Sequence, residues 1–206
     1  MWKNGRVWLL IVALGALLGF AFGAVSTYDF VAHLDRQVHG LHCSFLPGIS
    51  SAEASTGCHV TLMSPYSSVM RTSVWGGVPI SLGAMGIFGF LFFACVALFA
   101  RGEQSDTRAS GGLLAAATVP AITSAVMAYI ALGNLDAVCK VCVGIYVSSG
   151  LVWLGSLALF VSARRSGEGG HLPGRLFGLG VVVALLFVLF PVGVYAATAP
   201  DFDRYI

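Results

Sequence analysis

The sequence predicts an all-α integral membrane protein with five transmembrane helices and a long extracytoplasmic loop after the first. Three observations predict it. Of 206 residues, 57% are apolar and 10% charged, far below the roughly 25% charged content of a soluble domain. The formal net charge is +2, so no basic field steers the chain to a polyanion, and nucleic acid is excluded as a partner. Five stretches, 7–25, 78–100, 113–133, 138–162 and 176–197, each reach the roughly 20 apolar residues that a bilayer core requires. Lipid offers no partner for backbone N–H and C=O groups, so such runs must be helical.

The first stretch follows Lys3 and Arg6, and Ala21-Phe22-Gly23 resembles a signal-peptide cleavage site. Its apolar run exceeds the roughly 7–15 residues of a signal core, so it reads as a retained anchor. Residues 26–77 read as outer loop, rich in serine and broken by Pro47 and Pro65. Tyr28, Phe30, Val31, Leu34 and Val38 form a rough helical stripe there that suits the membrane interface. Gly15, Gly19 and Gly23 recur four apart in the first span, and Gly83, Gly86 and Gly89 three apart in the second. Small residues at that spacing let helices approach closely, or leave room for a flat ligand.

Basic side chains set the orientation. With the N-terminus in the cytoplasm, Lys3, Arg6, Arg101, Arg108, Arg164, Arg165 and Arg175 lie inside, and Arg36, Arg71, Lys140 and Arg204 outside. The loop 26–77, the turn at 134–137 and the C-terminal tail then face outwards.

This topology puts four of the five cysteines at one face: Cys43 and Cys58 in the loop, Cys139 and Cys142 at the outer end of the fourth span. Cys95 lies deep in the second span and reads as a small apolar core residue. Asn134 or Asp136 is positioned to cap the helix that carries Cys139-Lys140-Val141-Cys142. A helix N-terminus favours a thiolate, and Lys140 adds a cation, so Cys139 is expected to have the lowest thiol pKa of the four. Cys139 would sit nearer water and Cys142 about 4.5 Å deeper along the axis. Other readings of these cysteines exist. Haem attachment needs His after Cys142, where Val143 stands. Zinc would combine Cys43 and Cys58 with His39, His42 or His59, but the 14 residues between the two cysteines fit a closed site poorly. Two structural disulfides stapling the outer face remain the main alternative.

The pattern resembles the vitamin K epoxide reductase (VKOR) family in its bacterial branch. The resemblance rests on the loop pair Cys43 and Cys58, on Ser64-Pro65-Tyr66-Ser67, and on Gly77-Val78-Pro79-Ile80-Ser81-Leu82-Gly83 opening the second span. It rests also on Cys139-x-x-Cys142 with Tyr146 four residues on. It implies a four-helix bundle around a quinone of ubiquinone or menaquinone type, with a fifth helix beside it, in a bacterial inner membrane. It implies a periplasmic thioredoxin-like or DsbA-like partner. The partner's electrons would enter at Cys43 and Cys58, pass by Cys58–Cys139 exchange to Cys139 and Cys142, and reach the quinone at Cys142, framed by Ser64 and Tyr146. The loop pair is spaced more widely than in mammalian relatives, and their Asn near the start of the second span has no counterpart. No fused thioredoxin-like domain is expected within the chain. The alternatives are quinone-epoxide reduction, and a non-catalytic membrane assembly or metal-handling protein with structural cysteines.

Overall fold

A computed structural model describes residues 2–34, 60–61, 64–70, 77–102 and 106–166, together with 178, 180–182, 184–186, 189, 190, 192 and 193. Its elements are α1 (Trp2–Leu34), β1 (Ser68–Val69), β2 (Val78–Pro79), α2 (Ile80–Arg101), α3 (Thr107–Gly133) and α4 (Lys140–Ser166). All four helices are long and apolar enough to cross a membrane. The chain is an all-α, multi-pass membrane protein. Of the fifth expected span, the described residues are helical, and Gly180 lies against the rings of Phe90 and Phe93 on α2.

Packing orders the bundle. α1 packs most extensively on α4 and α2, α3 packs on α4, and α2 and α3 touch sparsely although they are consecutive. Lipid rewards apolar burial little, so close fit must hold these helices together. Gly19 shows how close: a Cβ there would stand 2.6 Å from the ring of Phe88. The first-span glycines are therefore packing positions, whereas Gly83 faces open space. A continuous core of Leu9, Val12, Leu91, Cys95, Leu98, Leu113 and Leu159 fills the half of the bundle remote from Cys139.

The first helix corrects one expectation. Residues 26–34 continue α1 without a break, where a loop with an interfacial stripe was expected. The polar run Ser26-Thr27-Tyr28-Asp29 marks a loop by composition. Here Ser26, Asp29 and Phe30 are buried and Tyr28 is exposed, so the run is the amphipathic outer end of a long helix. Thr27 Oγ1 donates to the Gly23 carbonyl at 2.8 Å and lies 2.9 Å from Ser81 Oγ, which ties α1 to the start of α2. The short antiparallel pairing of β1 with β2 then brings the Ser64–Ser67 turn beside α2.

α3 opens on Asp106, whose carboxylate accepts the N–H groups of Arg108 and Ala109 at 2.8 and 3.4 Å. Within it, Pro120 offers no N–H to the carbonyl one turn earlier. Neighbouring helices make such an interruption tolerable in a spanning segment.

Candidate active site

Cys139 immediately precedes α4 and serves as its N-terminal cap: the N–H of Cys142 donates to Cys139 Sγ at 3.4 Å. Neither expected capping residue has this role. Asn134 closes α3 by donating its N–H to the Ile130 carbonyl. Asp136 occupies the left-handed region at φ 45°, in the turn between the helices.

Both sulfurs are thiols. The Cys139 thiol is pulled down to about 7. The first cause is the hydrogen bond from the Cys142 thiol. Burial opposes it, and the N–H groups of Cys142 and Val141 reinforce it. The negative charge of Asp29, from α1, pushes weakly upwards. Lys140 is exposed, so the stabilisation comes from the helix start and the second thiol rather than from its ammonium. A second expectation is corrected here too. Cys139 is only 4% exposed, packed with Val141 against Phe22 and Val25, and is not the more open of the two. Burial on α1 follows from the long first helix, which rises past the turn.

Cys142 is half-buried and lines a cavity of about 350 Å³. That volume lies within the usual range for a small-molecule site. All four helices and the Ser64–Ser67 turn line it. Ser64 and Tyr146, both expected from the sequence, share it with Cys142. On α4 the residues Cys142, Ile145, Tyr146 and Ser149 follow one helical face. Phe88, held in place by Gly19, also lines it. Gly83 on α2 and Val119 and Thr123 on α3 are exposed residues that also line it, so it opens sideways between these two sparsely packed helices. Among the described residues no charged side chain lines the cavity.

Ser64 Oγ donates to the Thr61 carbonyl at 2.9 Å, and the Ser67 N–H and hydroxyl both donate to the Ser64 carbonyl. This turn seats Ser64 without a regular element. Two hydroxyls have no counterpart in the sequence expectations: Ser124 on α3 and Ser149 on α4, with 2.8 Å between their oxygens. The available signal is that Ser149 stands seven residues after Cys142, on the same face. Cys43 and Cys58 lie outside the described residues.

The lining fits a neutral, flat, mostly apolar molecule with a few hydrogen-bonding oxygens. A charged ligand would lose its hydration with no counter-charge in return. A quinone head group meets this description, and the sideways opening lets an apolar tail remain in lipid.

A family model described as "Vitamin K epoxide reductase family" matches residues 10–157. That span covers most of α1, all of α2 and α3, the Cys-x-x-Cys and most of α4. No curated protein and no solved structure matches the chain.

Proposed function

On the premise that the chain belongs to the vitamin K epoxide reductase family, and so is a membrane oxidoreductase, we propose that it oxidises a thioredoxin-like dithiol outside the cytoplasm and delivers the electrons to a membrane quinone. The observation that carries this is the division of labour at one helix start. Cys139 caps the helix as a stabilised thiolate while Cys142, within its reach, faces the cavity.

The thiol steps balance. The partner's two thiols reduce a Cys43–Cys58 disulfide and become a disulfide themselves. Cys58, as thiolate, attacks Cys139 of a Cys139–Cys142 disulfide. The S–S bond between them breaks, Cys142 leaves as a thiolate, and a Cys58–Cys139 bond forms. Cys43 then displaces Cys139 and restores the loop disulfide. The α4 pair is left as a dithiol carrying two electrons and two protons. When bound, the quinone supplies an acceptor for both pairs. The low Cys139 pKa makes it a good leaving group in the second exchange. Ser64 and Tyr146 orient the head group, and the apolar wall excludes water from the thiol next to it.

Orientation follows the charges. Arg6, Arg101, Arg108, Arg164 and Arg165 all lie at the helix ends remote from Cys139. The positive-inside rule makes that end cytoplasmic, which leaves the cysteine end facing an oxidising compartment.

The test uses the protein in bilayer discs with a reduced DsbA-like partner and ubiquinone-1. The wild type converts partner thiols to disulfide with one quinol formed per disulfide. Cys142→Ser stops quinol formation, because no Cys139–Cys142 disulfide can form to take electrons from Cys58. Full activity in Cys142→Ser contradicts the proposal.

A further inference from the structure

Ser124 and Ser149 form a buried hydroxyl pair at the cavity wall, 8% and 1% exposed. Their oxygens are 2.8 Å apart, and Ser149 Oγ donates to the Ile145 carbonyl at 2.9 Å. Each hydroxyl has one proton. With that of Ser149 on Ile145, the bond between the serines must be donated by Ser124. Rotation of two O–H bonds gives a second arrangement. Ser149 then donates to Ser124, and Ser124 donates into the cavity. The Ile145 carbonyl keeps the helical N–H one turn on, so no buried polar group is stranded. The two arrangements contain the same number of hydrogen bonds once an acceptor enters. An acceptor therefore gains a donor, and the helix contact is kept.

The position of the pair says which acceptor oxygen it can serve. Ser149 lies seven residues beyond Cys142, about 10 Å along the helix axis. That is the scale of a six-membered dione with a hydrogen bond of about 2.8 Å on each oxygen. We propose that the Ser124–Ser149 pair is a switchable donor that holds the ring carbonyl remote from Cys142. This deepens, and rests on, the quinone reading above. Ser124 binds and orients; no proton or electron is assigned to it. The other role open to the pair is interhelical adhesion between α3 and α4.

The experiment measures equilibrium binding of duroquinone to the full chain in bilayer discs by tryptophan quenching, with infrared spectra of the bound carbonyls. In Ser124→Ala the entering carbonyl is left without a donor in the apolar cavity, which raises Kd roughly five- to tenfold. The one downshifted carbonyl band remote from Cys142 returns towards its free position. Ser124→Thr, which keeps the hydroxyl, restores both. Ser149→Ala leaves the Ser124 proton in place, so the remote carbonyl band stays downshifted even where Kd changes. Adhesion alone predicts the opposite: similar losses in Ser124→Ala and Ser149→Ala, and no change in the carbonyl bands. Equal binding and equal bands in Ser124→Ala overturn the inference while the quinone reading stands. A wild type that binds no duroquinone overturns both.

Discussion

The two ends of the bundle use the same four helices and fill them differently. Remote from Cys139, Leu91, Cys95, Leu98, Leu113 and Leu159 are at most 1% exposed. Towards Cys139 the helices carry serines, a proline and an unobstructed glycine around a cavity. Each end holds a cysteine in a helix, yet Cys95 belongs to the apolar core cluster and Cys142 lines an opening beside the Cys139 sulfur. Reactivity here is a property of position along the bundle, set by the packing around the sulfur. The dense end anchors the helices so that the other end can tolerate an unfilled space.

Cysteine exchange is the most severe way to break that comparison. Cys142→Ser should reduce quinol formation to the uncatalysed background, whereas Cys95→Ala should leave turnover intact and cost about 1 kcal/mol of stability. Quinone absorbance and reversible unfolding in mixed micelles read the two. Next in size is Leu91→Ala, which opens a hole in the dense end and should cost about 2–5 kcal/mol. Ile87→Ala, at the cavity wall, only widens an existing space and should cost clearly less in the same unfolding assay. Gly19→Ala couples the two ends, since its Cβ must displace the Phe88 ring. Overpacking of this kind costs about 1–3 kcal/mol, and a ring pushed into the cavity should also raise the KM for quinone.

The smallest effects are on titration. With its pKa lowered to about 7, Cys139 is about half thiolate at neutral pH. Thiolate absorbance should therefore rise through that pH and disappear below it. Cys142→Ala removes the leading cause and should move the midpoint up. Asp29→Asn removes an opposing charge and should move it slightly down. An unchanged midpoint in Cys142→Ala would separate the two cysteines electrostatically.

Spans and partner residues were legible to different degrees. Four of the spans announce themselves, because uncharged runs of that length admit one solution in lipid. Ser64 and Tyr146 were legible only through resemblance, and both reach the cavity beside Cys142. The end of α1 was hidden by polar residues that turn out to face the bundle interior, so composition and burial disagreed at Ser26 and Asp29. The cap was hidden because a sulfur is an uncommon N-cap acceptor, and Asn134 and Asp136 are the usual choices. Ser124 and Ser149 were hidden for a geometric reason. Their meeting depends on how α3 sits against α4, and neither helix encodes it alone.

Electron delivery from the Cys139–Cys142 dithiol to a quinone at the cavity is the step on which the proposed function depends. The most direct measurement takes a Cys43→Ser, Cys58→Ser protein, fully reduced and anaerobic, and mixes it with excess ubiquinone-1 in a single turnover. One quinol per chain is expected, formed in step with loss of the two thiols and appearance of a Cys139–Cys142 disulfide. Quinol formation with both thiols retained, or none at all in folded protein that binds the quinone, would contradict it.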